Sequence, residues 1–340
     1  MSTERLVHTS QNSYTEEKPE YELLVGHHRT DGSFKTDEQL RVEYLHRTDS
    51  LIHKLTHGVE VVDPQTGERT REIPDTVIFL DKSARPLAWM MRELWDRLAL
   101  DDEGNVAKQP DIKFLNIDRN QWVNTLDPQG NGILDVDRVD DSVIRSLRSI
   151  FVSPRLKKDG LTEEIDNSPS SLDGKTILVV DEVHSTGRTL QIAEDMLGRA
   201  FPSAKIAGAH WMAGVATKGL ATGNADLPIW YKKDDPTGRG VNDRHKQPSG
   251  AEFANITQRL GAWFLSTRFN KPDESSMKLR QEIRQLANDT SVPVRISTDR
   301  YDVGTDEGFD AYSQHIQRVN NGASMHEVQK ELERIRVQKR

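Results

Sequence analysis

The feature that most constrains the fold is the run Ile177-Leu178-Val179-Val180, four apolar residues with no polar alternation, inside the stretch KTILVVDEVHSTGRTL from Lys175 to Leu190. A strand with one wet face alternates apolar and polar side chains. An unbroken apolar run reads instead as a strand covered on both faces, the habit of a parallel sheet. Two acids, Asp181 and Glu182, stand at its carboxyl end, and after Val183 and His184 comes a short hydroxyl-rich turn, Ser185, Thr186, Gly187, Arg188 and Thr189. Behind the turn Leu190, Ile192, Ala193, Met196 and Leu197 recur at helical spacing. The order is strand, acidic pair, anion-binding turn, helix.

Each part has a chemical use. A glycine lets the backbone come close to an anion, the first N–H groups of a helix point at it, and the hydroxyls of Ser185, Thr186 and Thr189 add donors, so a phosphate monoester fits the turn. Two carboxylates facing that phosphate would repel it. They serve better as acceptors for sugar hydroxyls a few ångströms away, or for a metal shared with the ligand. Vicinal hydroxyls beside a phosphate describe a ribose 5-phosphate.

The contiguous ILVVDEVHSTGRT resembles the signature of the type I phosphoribosyltransferases. The resemblance implies that Asp181 and Glu182 hold the ribose hydroxyls of phosphoribosyl pyrophosphate and that residues Val183 to Thr189 cradle its 5′-phosphate. It also implies a glycosyltransferase of nucleotide metabolism that carries Mg²⁺ in with the donor and displaces pyrophosphate from C1 of the ribose by a nitrogen nucleophile. The 6-oxopurine members of the family place an aspartate where this chain has Ser185, which at neutral pH cannot serve as the proton partner of such a base. A hypoxanthine or guanine acceptor is therefore not expected, and His184 is a candidate proton carrier. The alternative within the same fold is a non-catalytic regulator that binds the donor or a nucleotide as a signal.

Earlier in the chain Thr76 to Leu80 forms a second apolar strand, followed by Asp81-Lys82-Ser83-Ala84-Arg85-Pro86 and a helical stripe through Leu87, Met90, Met91, Leu94 and Trp95. In the family it resembles, this place holds the loop that grips the pyrophosphate. Arg85 or Lys82, with the small residues Ser83 and Ala84, suits a diphosphate chemically. The family's commoner loops carry glycines here, which this chain lacks. Further strands are expected at Ile112 to Ile117, Lys205 to Met212 and Leu227 to Tyr231, with Trp230 or Tyr231 available to stack on a base. Strands alternating with helices imply an α/β, doubly wound parallel sheet, a Rossmann-type phosphoribosyltransferase-like core with ligands at the carboxyl ends of the strands. The polar stretch from Asn120 to Asp141 is expected as a mobile lid.

The remaining segments are expected as a flexible tail (1–36), an N-terminal helix and hairpin (37–74), the core (75–245) and a mainly helical C-terminal accessory or oligomerisation region (246–340). That last region is expected to turn helical from Glu252, to add a strand at Val292 to Ser297, and to make a homo-oligomer. Three weaker motifs carry nothing. Gly174-Lys175-Thr176 lacks the first glycine of a P-loop, since Pro169 stands there. The Asp127 to Arg138 stretch lacks the closing glutamate of a calcium loop. His53 and His57, four residues apart, read as a solvated face.

Composition narrows the classes further. The 340 residues are 35% hydrophobic with a net charge of −8 and no long basic block, so no nucleic-acid surface is announced. With no cysteine, disulfides, thiolate metal sites and a cysteine nucleophile are excluded. The absence of a long apolar run or signal-like start makes a small-molecule enzyme of the cytoplasm, with no membrane partner, the expectation.

Overall fold

Four of the apolar runs lie side by side as one parallel sheet, reached in chain order as follows. Helix α1 (Asp37–His57) leads into a hairpin of β1 (Val59–Val62) and β2 (Arg69–Glu72), then β3 (Thr76–Asp81), α2 (Arg85–Leu98) and β4 (Asp111–Asn116). A two-residue ladder, β5 (Thr125–Leu126) with β6 (Gly132–Ile133), and a 3-10 turn at Val136–Arg138 precede α3 (Asp141–Phe151), β7 (Thr176–Val183), α4 (Arg188–Ala200) and β8 (Lys205–Met212). The chain continues with β9 (Phe253–Thr257), β10 (Leu265–Phe269), α5 (Glu274–Asn288), α6 (Asp306–Val319) and α7 (Met325–Lys339). The computed structural model describes residues 37–81, 84–101, 104–116, 125–126, 128, 132–151, 172–183, 187–212, 253–257, 265–269, 274–290, 292–297, 300–320 and 325–339. The expected strand Leu227 to Tyr231, with Trp230, lies outside them, as do the tail 1–36 and most of the lid. Among the described residues no helix is long and apolar enough to cross a membrane.

The sheet order is β4-β3-β7-β8, all parallel. β3, the first of the four in sequence, is central: β4 adds on one side, and the chain then returns to place β7 on the other. Apolar residues along each strand divide between two cores. Val77, Phe79, Leu178 and Val180 join α1 and α2 on one face, while Ile78, Leu80, Ile177 and Val179 join α3 and α4 on the other. This two-sided cover is why the runs carry no polar alternation.

The hairpin is tied under the amino ends of the strands. Thr176 Oγ1 donates to Glu72 Oε2 at 2.6 Å, and Lys205 Nζ reaches Glu72 Oε1 at 2.5 Å and Asp63 Oδ2 at 3.5 Å. Hydrogen bonds from Lys205, Thr176 and Thr70 hold the Glu72 carboxyl down to about 2. A depressed carboxylate contributes stability above its unfolded value and loses it as pH falls through the folded one. Stability is therefore expected to drop between about pH 4.5 and about pH 2, and the Glu72→Gln protein should show a flatter acid limb in pH-dependent denaturation.

Two C-terminal expectations are corrected. Residues Phe253–Thr257 and Leu265–Phe269 form antiparallel strands rather than the start of a helix, with Phe253 opposite Phe269. The spacing Phe253, Ile256, Leu260 satisfies a helical stripe, yet each short segment carries an aromatic and at least one β-branched residue, which suit a ladder equally well. Residues 292–297 join no sheet. Their polar backbone is met by a side chain instead: Val294 N donates to Asn320 Oδ1 at 2.6 Å, and Asn320 Nδ2 donates to Val294 O at 2.8 Å. The local hydrogen-bond requirement is satisfied without a neighbouring strand.

The C-terminal helices share the core of α1 and α2, with Ile283, Leu286, Val294, Ile316 and Val328 in the same cluster as Leu87, Leu94 and Trp95. Arg97, near the end of α2, donates to the carbonyls of Val319 at 3.1 Å, Ala287 at 3.4 Å and Val292 at 3.4 Å. Arg284 pairs with Glu93 at 2.9 Å, and the Arg280 guanidinium lies 5.1 Å from the Trp89 ring centroid.

Candidate functional site

β7 runs three residues past its apolar stretch, so Asp181 and Glu182 belong to the strand rather than to the turn behind it. Pairing between β3 and β7 stops at Phe79 opposite Val180. From there β3 leads toward the 82–84 loop and α2, while β7 leads through the acidic pair toward α4. Both loops singled out by sequence thus spring from the two strands between which the order of the sheet reverses. At such a point the connections diverge to opposite faces, leaving a crevice at the carboxyl ends where open α/β sheets take their ligands.

The acidic pair is closely coupled. Glu182 is 7% exposed, whereas Asp181 is only partly buried. Burial pushes the Asp181 carboxyl well above the ordinary carboxylate range, and the negative charge of Glu182 and a side-chain hydrogen bond with it push the same way. Glu182 N donates to Asp181 Oδ1 at 2.9 Å, which opposes the rise without cancelling it. Hydrogen bonds or positive charge from a ligand would favour the Asp181 carboxylate.

Gly187 caps α4 in the left-handed region at φ 70°, with no side chain capping the helix. Gly187 itself has no side chain to offer the first turn of α4, in which Arg188 and Thr189 are half-buried. Gly187→Ala is expected to cost about 1 kcal/mol, because a Cβ at this φ meets the following carbonyl. A denaturation midpoint equal to that of the parent protein would contradict it.

Arg85 stands at the head of α2 but is 1% exposed, its guanidinium 4.0 Å from the ring centroid of Phe114 on β4. Ala84 is fully buried, and its carbonyl accepts from Leu87 N and Ala88 N. Lys82, Ser83, His184, Ser185 and Thr186 lie outside the described residues, and the side chain of Val183 does too.

Reading the sequence missed two polar groups near the acidic pair. His210 of β8 is the register partner of Asp181. Glu194 of α4 sits over Gly208 of β8, where burial and then the charge of Asp195 raise its carboxyl to about 7. The histidine is visible in KIAGAHWM, but which residue of β7 it stands beside depends on strand register, which a run buried on both faces does not encode.

Elsewhere, the rings of His53 and His57 stack with centroids 4.0 Å apart, and His53 is depressed to about 3 by burial and by positive neighbours led by Arg300. Asp135 caps the 3-10 turn through Asp137 N and pairs with Arg138 at 2.9 Å. Among the described residues no group of three or more His, Asp or Glu side chains is arranged to hold a metal ion. No protein-family model matches the chain, and no curated protein matches it in sequence.

Proposed function

We propose that the chain is a phosphoribosyltransferase: it transfers the 5-phosphoribosyl group of phosphoribosyl pyrophosphate to a nitrogenous acceptor other than a 6-oxopurine and releases pyrophosphate. One observation carries the reading. The acidic pair with its turn, and the loop before α2, lie at the carboxyl ends of β7 and β3, on either side of the order reversal. The fold then corresponds to a doubly wound phosphoribosyltransferase-like core.

In this reading the first-turn N–H groups of α4 and the hydroxyls around Gly187 take the 5′-phosphate. Asp181 and Glu182 accept hydrogen bonds from the ribose hydroxyls, and their charge favours the cationic character that develops at C1 as the bond to pyrophosphate lengthens. Mg²⁺ arrives with the donor as its diphosphate salt. Lys82, in the segment before α2, receives the departing pyrophosphate. Holding both ends of the donor supplies the positioning that the displacement needs.

The inward placement of Arg85 over Phe114 favours a second reading, a protein that binds the donor or a nucleotide without turning it over, because the guanidinium is not presented to solvent. The experiment that separates the two is incubation with Mg²⁺, phosphoribosyl pyrophosphate labelled in the diphosphate, and a panel of free bases. Release of labelled pyrophosphate with one class of base supports transfer. Tight binding without release supports the regulator, and neither binding nor release refutes both.

A further inference from the structure

His210 stands in register with Asp181 on the neighbouring parallel strand. Adjacent strands are about 4.8 Å apart, so the two side chains leave neighbouring Cα positions at the carboxyl end of the sheet. Both residues are half-buried, neither sealed in a core nor free in solvent.

Two residues earlier in β8, Gly208 leaves room for α4: a Cβ there would meet Glu194 Oε1 at 2.4 Å and Leu190 Cδ2 at 2.9 Å. Helix α4 thus lies over this face of β8 and runs opposite to the strand. Moving from Gly208 to His210 moves from Glu194 back toward the head of the helix, where Arg188 and Thr189 flank Gly187. The imidazole therefore belongs to the same notch as the acidic pair and the anion-binding helix head. The other charged groups on these elements are Glu182, hydrogen-bonded to Asp181, Lys205 at the amino end of β8, and on α4 Arg188, Glu194, Asp195 and, in its last turn, Arg199.

We propose that His210 is the proton partner of Asp181 in the donor site. When ribose hydroxyls arrive, the Asp181 carboxyl must accept hydrogen bonds with all its lone pairs. Its proton passes to a ring nitrogen of His210, leaving a carboxylate against the sugar and an imidazolium beside the sugar phosphate. No net proton leaves the pair, and the positive charge is created where the ligand's negative charge lies. The identity of the ligand rests on the phosphoribosyl reading, whereas the register of the two residues does not.

The test is a carbon-13 titration of the Asp181 carboxyl in the free, full-length protein, its resonance identified by its loss in Asp181→Asn. In His210→Gln the Asp181 midpoint is expected to shift by on the order of one pH unit, because the apparent values of two interacting groups belong to the pair and the partner is gone. Reciprocally, the His210 ring midpoint is expected to shift in Asp181→Asn. An unchanged Asp181 midpoint in His210→Gln, or in His210→Asn should the first variant not fold, overturns the proposal. Adding phosphoribosyl pyrophosphate with Mg²⁺ to the parent protein is a separate arm. Failure to bind there refutes the phosphoribosyl reading, while the free-protein titration still decides the coupling.

Discussion

The Asp181→Asn, Glu182→Gln double variant is expected to bind phosphoribosyl pyrophosphate roughly a hundred- to ten-thousand-fold more weakly than the parent chain, since hydrogen bonds to two charged acceptors contribute about 1.5–3 kcal/mol each. The loss should come without a loss of folding. Burial and the neighbouring acid raise the Asp181 carboxyl in the folded protein. A raised carboxyl contributes stability that is fully present below its unfolded value and is lost as pH rises through the folded one. Asp181→Asn should therefore melt higher than the parent at neutral pH, with the difference closing toward pH 4 and below. Calorimetric binding and thermal melts over this pH range check both halves, and unchanged donor affinity would remove the ribose assignment. A gain in stability paired with a loss of binding is the signature of a site held in a costly state for its ligand.

Arg97→Met is expected to destabilise the protein by roughly 3 kcal/mol, with a lower denaturant midpoint and the same slope. The guanidinium satisfies the carbonyls of Ala287 and Val319 at the ends of α5 and α6 and that of Val292 between them. Methionine keeps much of the stem packing but leaves those acceptors to fend for themselves. Hydrogen exchange should rise first in α5 and α6, which Arg97 joins to α2. A midpoint equal to the parent's would mean that the shared core alone holds those helices.

The central strands were legible because burial on both faces leaves a local mark in Thr76–Asp81 and Thr176–Val183, and the edge strands Asp111–Asn116 and Lys205–Met212 lie within a residue of the segments expected. Gly187, expected as the glycine ahead of a helix, stands at the N-cap of α4 with left-handed backbone. What could not be read was anything that depends on partners. An amphipathic helix advertises an apolar face but not what covers it, so the common core of α2 with α5, α6 and α7 was invisible. Arg85 reads from sequence as a charge for a diphosphate, and only the fold reveals Phe114 beneath it. Phe253–Thr257 satisfies two periodicities at once, and its pairing with Leu265–Phe269 decides between them.

The reversal of strand order also bears on how the molecule comes into being. β3 and β7 meet through contacts such as Thr176 N to Asp75 Oδ2 at 3.0 Å, between residues 101 positions apart. Closing so long a loop is entropically expensive before any contact repays it, so this pairing is a slow, late step. Neither half of the crevice has a wall until the step is complete. A nascent or proteolysed chain ending before β7 holds only the 82–84 loop, and an excised peptide spanning 175–190 holds only the acidic turn. If the crevice takes the proposed donor, recognition is all-or-none with respect to assembly, and no fragment of the protein sequesters that ligand on its own.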